Sequence, residues 1–230
     1  MGPHFFRRMS DVHAYKPASR ELPVPIGMNI AHWFTLNLFG LIVKSGCQWD
    51  CRGSENIPMD GGIIIAMNHQ SFIDPPLVAL ASPRQDIVYL AKSEIMAWPL
   101  IGRLFNDLHV IPVDQQNADR TALRHLINIV RTGHVAVIFP EGGRTPDGTI
   151  QPAQPGIGFV VGKTLCPVVP MRIWGAYEAY PMGGRPRLHP ISVRVGAPLR
   201  FTKADFDSGD RIDYQTCADK VLDAIKALKL

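Results

Sequence analysis

Ile63-Ile64-Ile65-Ala66-Met67-Asn68-His69-Gln70-Ser71-Phe72-Ile73-Asp74 is the stretch on which the fold turns. Its five leading apolar residues read as a buried strand, and Asp60-Gly61-Gly62 ahead of them as a sharp reversal whose paired glycines supply φ > 0. The polar island behind the strand gives way to Leu77-Val78-Ala79-Leu80-Ala81, which continues as a helix. Strand, loop and helix in that order begin an α/β unit. The loop sets a base-capable His69 and the Asp74 carboxylate five positions apart at the strand's end.

Outward from this unit the same alternation recurs without sequence repetition. Ile87 to Ala91 is a predicted strand, Glu94 to Leu104 a helix, Leu108 to Val113 a strand, and Ala118 to Arg131 a helix with Leu123, Leu126, Ile127 and Val130 at helical spacing. Gly133 is placed to close that helix as a left-handed cap. Val135 to Phe139, Val168 to Ile173 and Ile191 to Val195 read as strands, and Gly156 to Leu165 and Tyr214 to Leu228 as helices. The implied fold class is α/β, a mostly parallel central sheet flanked by helices, with ligands bound beyond the carboxyl ends of its strands. A second polar island, Phe139-Pro140-Glu141-Gly142-Gly143-Arg144-Thr145, also follows an apolar run, so both islands are expected in one cleft.

Toward the amino end, residues 1–25 are polar and aperiodic and read as an arm. They begin Met-Gly, but Phe6 stands where a myristoylation signal needs Ser or Thr, and there is no signal-peptide cleavage pattern. Ile26 to Val43 is an apolar segment of 18 residues, near the lower limit of about 17–25 for a membrane crossing. Asn29, His32, Thr35 and Asn37 interrupt it without gathering on one face. The expectation is an N-terminal membrane-associated helix, lying on the bilayer or packed on the core. The domain division expected is 1–47 for arm and helix and 48–230 for the α/β domain, with Trp49 to Pro58 as a polar connection.

Composition limits the partners. A chain of 230 residues, 46% hydrophobic, buries a full core. A net charge of +4 and a pI near 9.0 suit an anionic partner, a phosphate-bearing substrate or an anionic membrane surface. Lys and Arg form no basic run of the kind that tracks a phosphate backbone, which argues against nucleic acid. Cys47, Cys51, Cys166 and Cys217 lack metal-site spacing or a disulfide framework, so no metal is expected and the chain reads as reduced and cytosol-facing.

A His whose second ring nitrogen is held by a carboxylate is fixed in one tautomer and acts as a base. No Ser or Cys stands in a nucleophile elbow, so His69 would activate a hydroxyl of the substrate, without a covalent enzyme intermediate. Against this, Asp74 before Pro75 and Pro76 has the look of a helix N-cap, and a single His is more often a loop residue. Arg144 at a Gly-rich turn suits bidentate phosphate binding, or else forms a surface ion pair with Glu141.

Taken together, Asn68-His69-x-x-x-x-Asp74 and Phe139-Pro140-Glu141-Gly142-Gly143-Arg144 resemble the glycerolipid acyltransferase family that includes the 1-acylglycerol-3-phosphate acyltransferases, whose blocks read N-H-x-x-x-x-D and F-P-E-G-T-R. Lys92-Ser93-Glu94-Ile95, with Pro99 and Gly102, is similar to its lysine block, and Val168-Val169-Pro170-Met171 to its apolar-proline block. The likeness runs from about Gly53 to Pro198. It implies a glycerol-3-phosphate acyltransferase-like fold, His69 as general base and Asp74 as its orienting partner. Asn68, Lys92, Glu141, Gly142 and Arg144 would bind substrate, with Arg144 and Lys92 on the acceptor's phosphate.

No cofactor is implied. The donor would be acyl-coenzyme A or acyl-carrier protein, the acceptor 1-acylglycerol 3-phosphate, and the place the cytoplasmic face of a membrane. Gly143 replaces the family's usual Thr and Gln115 an expected Arg, with Arg120 the nearest substitute; both departures bear on the acceptor. Glycerol 3-phosphate or another lysolipid as acceptor, thioester hydrolysis, and a non-catalytic lipid-binding protein are the alternative readings.

Overall fold

Every residue from Ile63 to Met67 is buried, the mark of a strand covered on both faces. The computed structural model describes residues 30–92, 110–113, 118–207 and 213–230. Among them, seven strands are β1 (Asp50–Arg52), β2 (Ile63–Met67), β3 (Ile87–Lys92), β4 (Val110–Val113), β5 (Val135–Ile138), β6 (Val168–Trp174) and β7 (Ser192–Val195). The α-helices are α1 (Ile30–Gly46), α2 (Asp74–Ala81), α3 (Ala118–Arg131), α4 (Gly156–Thr164), α5 (Ala176–Ala179) and α6 (Tyr214–Ala227). The helix expected at 94–104 and the arm at 1–25 lie outside the described residues.

The sheet order is β1-β7-β6-β2-β5-β3-β4, which puts β2 in the middle. Every pairing is parallel except β6 with β7. The exception has a local cause. Between Trp174 and Ser192 the chain makes only the four-residue α5 and a loop, with no helix long enough to carry it back across the sheet, so it turns and runs antiparallel. That loop therefore stays at the carboxyl end of β6, the end to which β2 and β5 also point. Trp49 to Pro58, expected as a polar connection, instead holds β1 and a short 3-10 turn at Ser54–Asn56. Three residues with one apolar member carry no period, and only pairing with β7 makes them a strand.

The alternation of β2 sorts two cores. Ile63, Ile65 and Met67 pack toward α1 and α2, while Ile64 and Ala66 pack toward α3, α4 and α6. Gly133 closes α3 at φ 91° as expected. Of the two turn glycines only Gly61 has φ > 0; Gly62 is needed for another reason, since a Cβ there would lie 1.7 Å from the Val130 carbonyl oxygen. Asp213 caps α6 by accepting from the N–H groups of Gln215 and Thr216.

α1 is packed on the domain along one stripe: Val43 and, just past the helix, Cys47 are buried in the core, with Leu36 and Phe39 against it. No helix among the described residues is long and apolar enough to cross a membrane. Its opposite stripe carries exposed Phe34, Leu38, Leu41 and Ile42.

Candidate active site

β2 and β5 are nearest neighbours and parallel, with Ala66 opposite Ile138, so the residues that follow each strand emerge side by side. That register brings the two polar islands together although 72 positions separate His69 from Glu141. The second island clamps the first. Glu141 Oε1 accepts the His69 N–H at 2.7 Å, and the Thr145 N–H donates to the His69 carbonyl at 2.8 Å. Gly142, at φ 72°, allows the tight turn between these two contacts, its own N–H donating to Phe139 O at 3.0 Å.

His69 Nδ1 lies 2.7 Å from Asp74 Oδ2. The same oxygen accepts the backbone N–H groups of Gln70 at 2.6 Å and Ser71 at 2.7 Å. An oxygen already accepting two donors takes a third as acceptor, so Nδ1 carries the proton and Nε2 is left as the basic lone pair. Phe139 stacks on the imidazole at 3.9 Å between centroids and 15° between planes, fixing the ring's tilt. Asp74 is fully buried, whereas His69 is partly open. It also opens α2, with Pro75 and Pro76 in the first positions, but makes no side-chain cap to the helix. Its carboxylate holds the preceding loop and the imidazole instead.

Asn68 and Glu141 were expected to touch substrate; their polar atoms are already occupied. Asn68 is 1% exposed, its Nδ2 donating to the Ile173 carbonyl at 3.1 Å and its Oδ1 accepting the Ile173 N–H at 2.8 Å, so it extends the β2–β6 pairing by one side chain. Glu141 Oε2 accepts the Gln151 N–H at 2.6 Å, which leaves no ion pair to Arg144. Burial pushes its carboxyl upward, opposed by the two backbone N–H bonds.

Arg144 lies over the face of Phe72, its Cζ 3.5 Å from the ring centroid. Burial pulls the guanidinium below its ordinary value. Arg144 Nη1 and Asp74 Oδ1 are the buried side-chain atoms without a hydrogen-bond partner among the described residues. Phe72 and Phe139 have roles that sequence reading missed: both sat inside the motifs, but nothing in their spacing says which ring faces which charge. Ser71 Oγ donates to the Tyr180 carbonyl at 2.7 Å, tying the motif loop to the β6–β7 connection.

His69, Phe72, Phe139, Glu141, Gly142 and Arg144 face a cleft of about 1190 Å³. Its far wall is apolar, built from Leu90, Leu123, Leu126, Ile157 and Phe159. β3 ends at Lys92, one strand beyond β5, but the Lys92 side chain, like Gln115 and the Arg120 side chain, lies outside the described residues.

The family model for acyltransferases matches residues 48–174, more than half of the chain. A chloroplastic 1-acyl-sn-glycerol-3-phosphate acyltransferase of Brassica napus is 32% identical over 180 residues, covering 76% of this chain and 52% of that protein. One from Bacillus subtilis is 29% identical over 154 residues, 66% of this chain and 73% of the relative. This chain thus spans about half the length of the Brassica protein. The crystal structure of the 1-acyl-sn-glycerophosphate acyltransferase of Thermotoga maritima superposes with a TM-score of 0.63 at 26% identity, covering 85% of this chain and 79% of that one. With the His–Asp pair and the clamping Pro-Glu-Gly loop at adjoining strand ends, and with that family match, this chain belongs to the acyltransferase family.

Proposed function

We propose that this protein transfers an acyl group from a thioester, acyl-coenzyme A or acyl-carrier protein, to the free hydroxyl of 1-acylglycerol 3-phosphate, giving phosphatidate. The observation that carries the reading is the 2.7 Å His69 Nδ1–Asp74 Oδ2 contact in a cleft that also holds a partly buried arginine. The activity for which the relatives are named supports the acceptor. Nε2 of His69 takes the hydroxyl proton as that oxygen attacks the thioester carbonyl. Asp74 stabilises the imidazolium that forms. The tetrahedral intermediate collapses, the C–S bond breaks, and Nε2–H returns its proton to the departing thiolate. Proton transfer by a positioned base is worth about 10²–10⁴-fold. Arg144 holds the acceptor phosphate, its Nη1 gaining the partner it lacks, with Lys92 as a second cation. The apolar wall takes an acyl chain.

The same reading places the protein on the cytoplasmic face of an anionic membrane. Support comes from α1, which is apolar on its buried and exposed stripes alike; such a helix belongs in a core or against lipid. The test incubates the purified full chain with labelled acyl-coenzyme A or acyl-carrier protein and a panel of acceptors including 1-acylglycerol 3-phosphate and glycerol 3-phosphate. Transfer to the first is expected, falling about 10²–10⁴-fold in His69→Ala with an unchanged circular dichroism spectrum. Folded wild-type protein that transfers to no acceptor from either donor refutes the proposal.

A further inference from the structure

The β6–β7 connection carries seven consecutive exposed residues, Met182-Gly183-Gly184-Arg185-Pro186-Arg187-Leu188. Met182 is 51% and Leu188 68% exposed. The stretch has a defined shape, since the Gly184 N–H donates to Pro181 O at 3.0 Å and the Arg187 N–H to Ala179 O at 2.8 Å. Its two ends meet the two features already described. Met182 lines the catalytic cleft. Leu188 packs on the bare Cα of Gly46, where an added Cβ would lie 2.8 Å from Leu188 Cδ2. Phe34, Leu38, Ile42 and Gly46 are spaced four apart on α1, so Leu188 prolongs the exposed apolar stripe of that helix toward the cleft mouth.

We infer that residues 182–188 form a second bilayer-docking element, with Met182 and Leu188 entering the acyl region and Arg185 and Arg187 pairing with the phosphates of an anionic phospholipid surface. This rests on the membrane reading of α1 and extends it from one helix to a continuous face that ends at the cleft. Charge selects the occupant. Neither α1 nor residues 182–188 contains an acidic residue, and Arg185 and Arg187 form no ion pair among the described residues. A second copy docked through the same face would bring the arginines no carboxylate to pair with, whereas an anionic bilayer offers phosphate to each and apolar depth to the side chains between. Docked this way, the cleft mouth sits at headgroup level, where a lysolipid presents its hydroxyl and phosphate while its chain stays in the bilayer.

The test sediments the full chain with phosphatidylcholine vesicles, with and without phosphatidylglycerol, and compares Arg185→Ser/Arg187→Ser, Leu188→Glu and Leu188→Phe. A parallel arm measures turnover on a short-chain acceptor and donor, both monomeric in solution. Wild type is expected to favour the anionic vesicles. The double serine variant should partition about 30-fold less, two arginines at about 1 kcal/mol each near an anionic surface, with the difference shrinking at high salt. Leu188→Glu should lose binding and Leu188→Phe keep it, all with wild-type turnover on the soluble pair. Wild-type partition in both the serine and Glu variants overturns the inference. So does a dimer, seen by light scattering, that these variants abolish while vesicle binding stays unchanged. Wild-type protein that turns over no soluble pair counts against acyl transfer, and the vesicle arm still decides the docking element.

Discussion

Asn68→Leu separates two roles for the first residue of the motif. If Asn68 binds substrate, leucine raises an acceptor KM and leaves the fold alone. In the structure its Nδ2 and Oδ1 are both spent on the backbone of Ile173, at 3.1 and 2.8 Å, in a position 1% exposed. Leucine fills nearly the same volume but leaves the Ile173 N–H and carbonyl buried and unpaired. Each orphaned group costs about 1–3 kcal/mol, so the variant should lose about 2–6 kcal/mol. For a chain of this size about 1 kcal/mol moves Tm by roughly 2–4 °C, and a mid-range loss lowers it by about 10 °C. Thermal melts followed by circular dichroism, with a urea midpoint at unchanged m-value, measure this. Turnover well below Tm should also fall, because the anchored residue directly precedes His69. A Tm within about 1 °C of wild type, with only the acceptor KM raised, would refute the structural role.

Phe72→Leu removes the ring beneath Arg144 and should raise the acceptor KM about 5–30-fold, the equivalent of about 1–2 kcal/mol for a partly desolvated cation–π contact, with Phe72→Tyr restoring it. An equal rise in the donor KM would point to a general disturbance of the cleft. Burial holds the Glu141 carboxyl above its ordinary range, so the folded protein binds that proton more tightly than the unfolded chain. The group's stabilisation is therefore fully present below the unfolded value of about 4.3 and is lost as pH rises through the folded one. The Tm of wild type relative to Glu141→Gln should accordingly fall as pH rises through the weakly acidic range, and the opposite slope would contradict the assignment. Gly62→Ala drives a methyl against the backbone of Val130 and should cost about 1–3 kcal/mol in a denaturant titration; a neutral result would mean that α3 shifts freely over β2.

Strands such as β2 and β6 were legible because buried strands are largely continuous apolar runs, β7 because Val193 and Val195 alternate with Ser192 and Arg194, and α3 because it keeps a helical period. β1 was not, since three residues of which one is apolar become a strand only through pairing with β7. The antiparallel turn of β7 was also hidden: direction depends on how the chain returns, which no residue in the strand encodes. In the site, His69, Asp74 and Arg144 stand out as residue types, and the family resemblance makes Asn68 and Glu141 expected substrate ligands. Their actual partners, Ile173 and the backbones of His69 and Gln151, lie 105, 72 and 10 positions away. A polar side chain in a motif looks the same in sequence whether it meets a ligand or a distant backbone group.

By itself, then, the sequence determined the strands from β2 to β7 and the longer helices among the described residues, that two polar islands follow two apolar runs, and that a base, a carboxylate and a guanidinium are available in them. Local periodicity and residue chemistry carry that much. Tertiary structure decided that β2 and β5 are neighbours, that Asp74 binds its own loop and the imidazole instead of capping α2, and that Phe139 and Phe72 back His69 and Arg144. These follow from strand order and register, which the whole core selects because a one-strand exchange would expose the apolar runs that both helical layers cover.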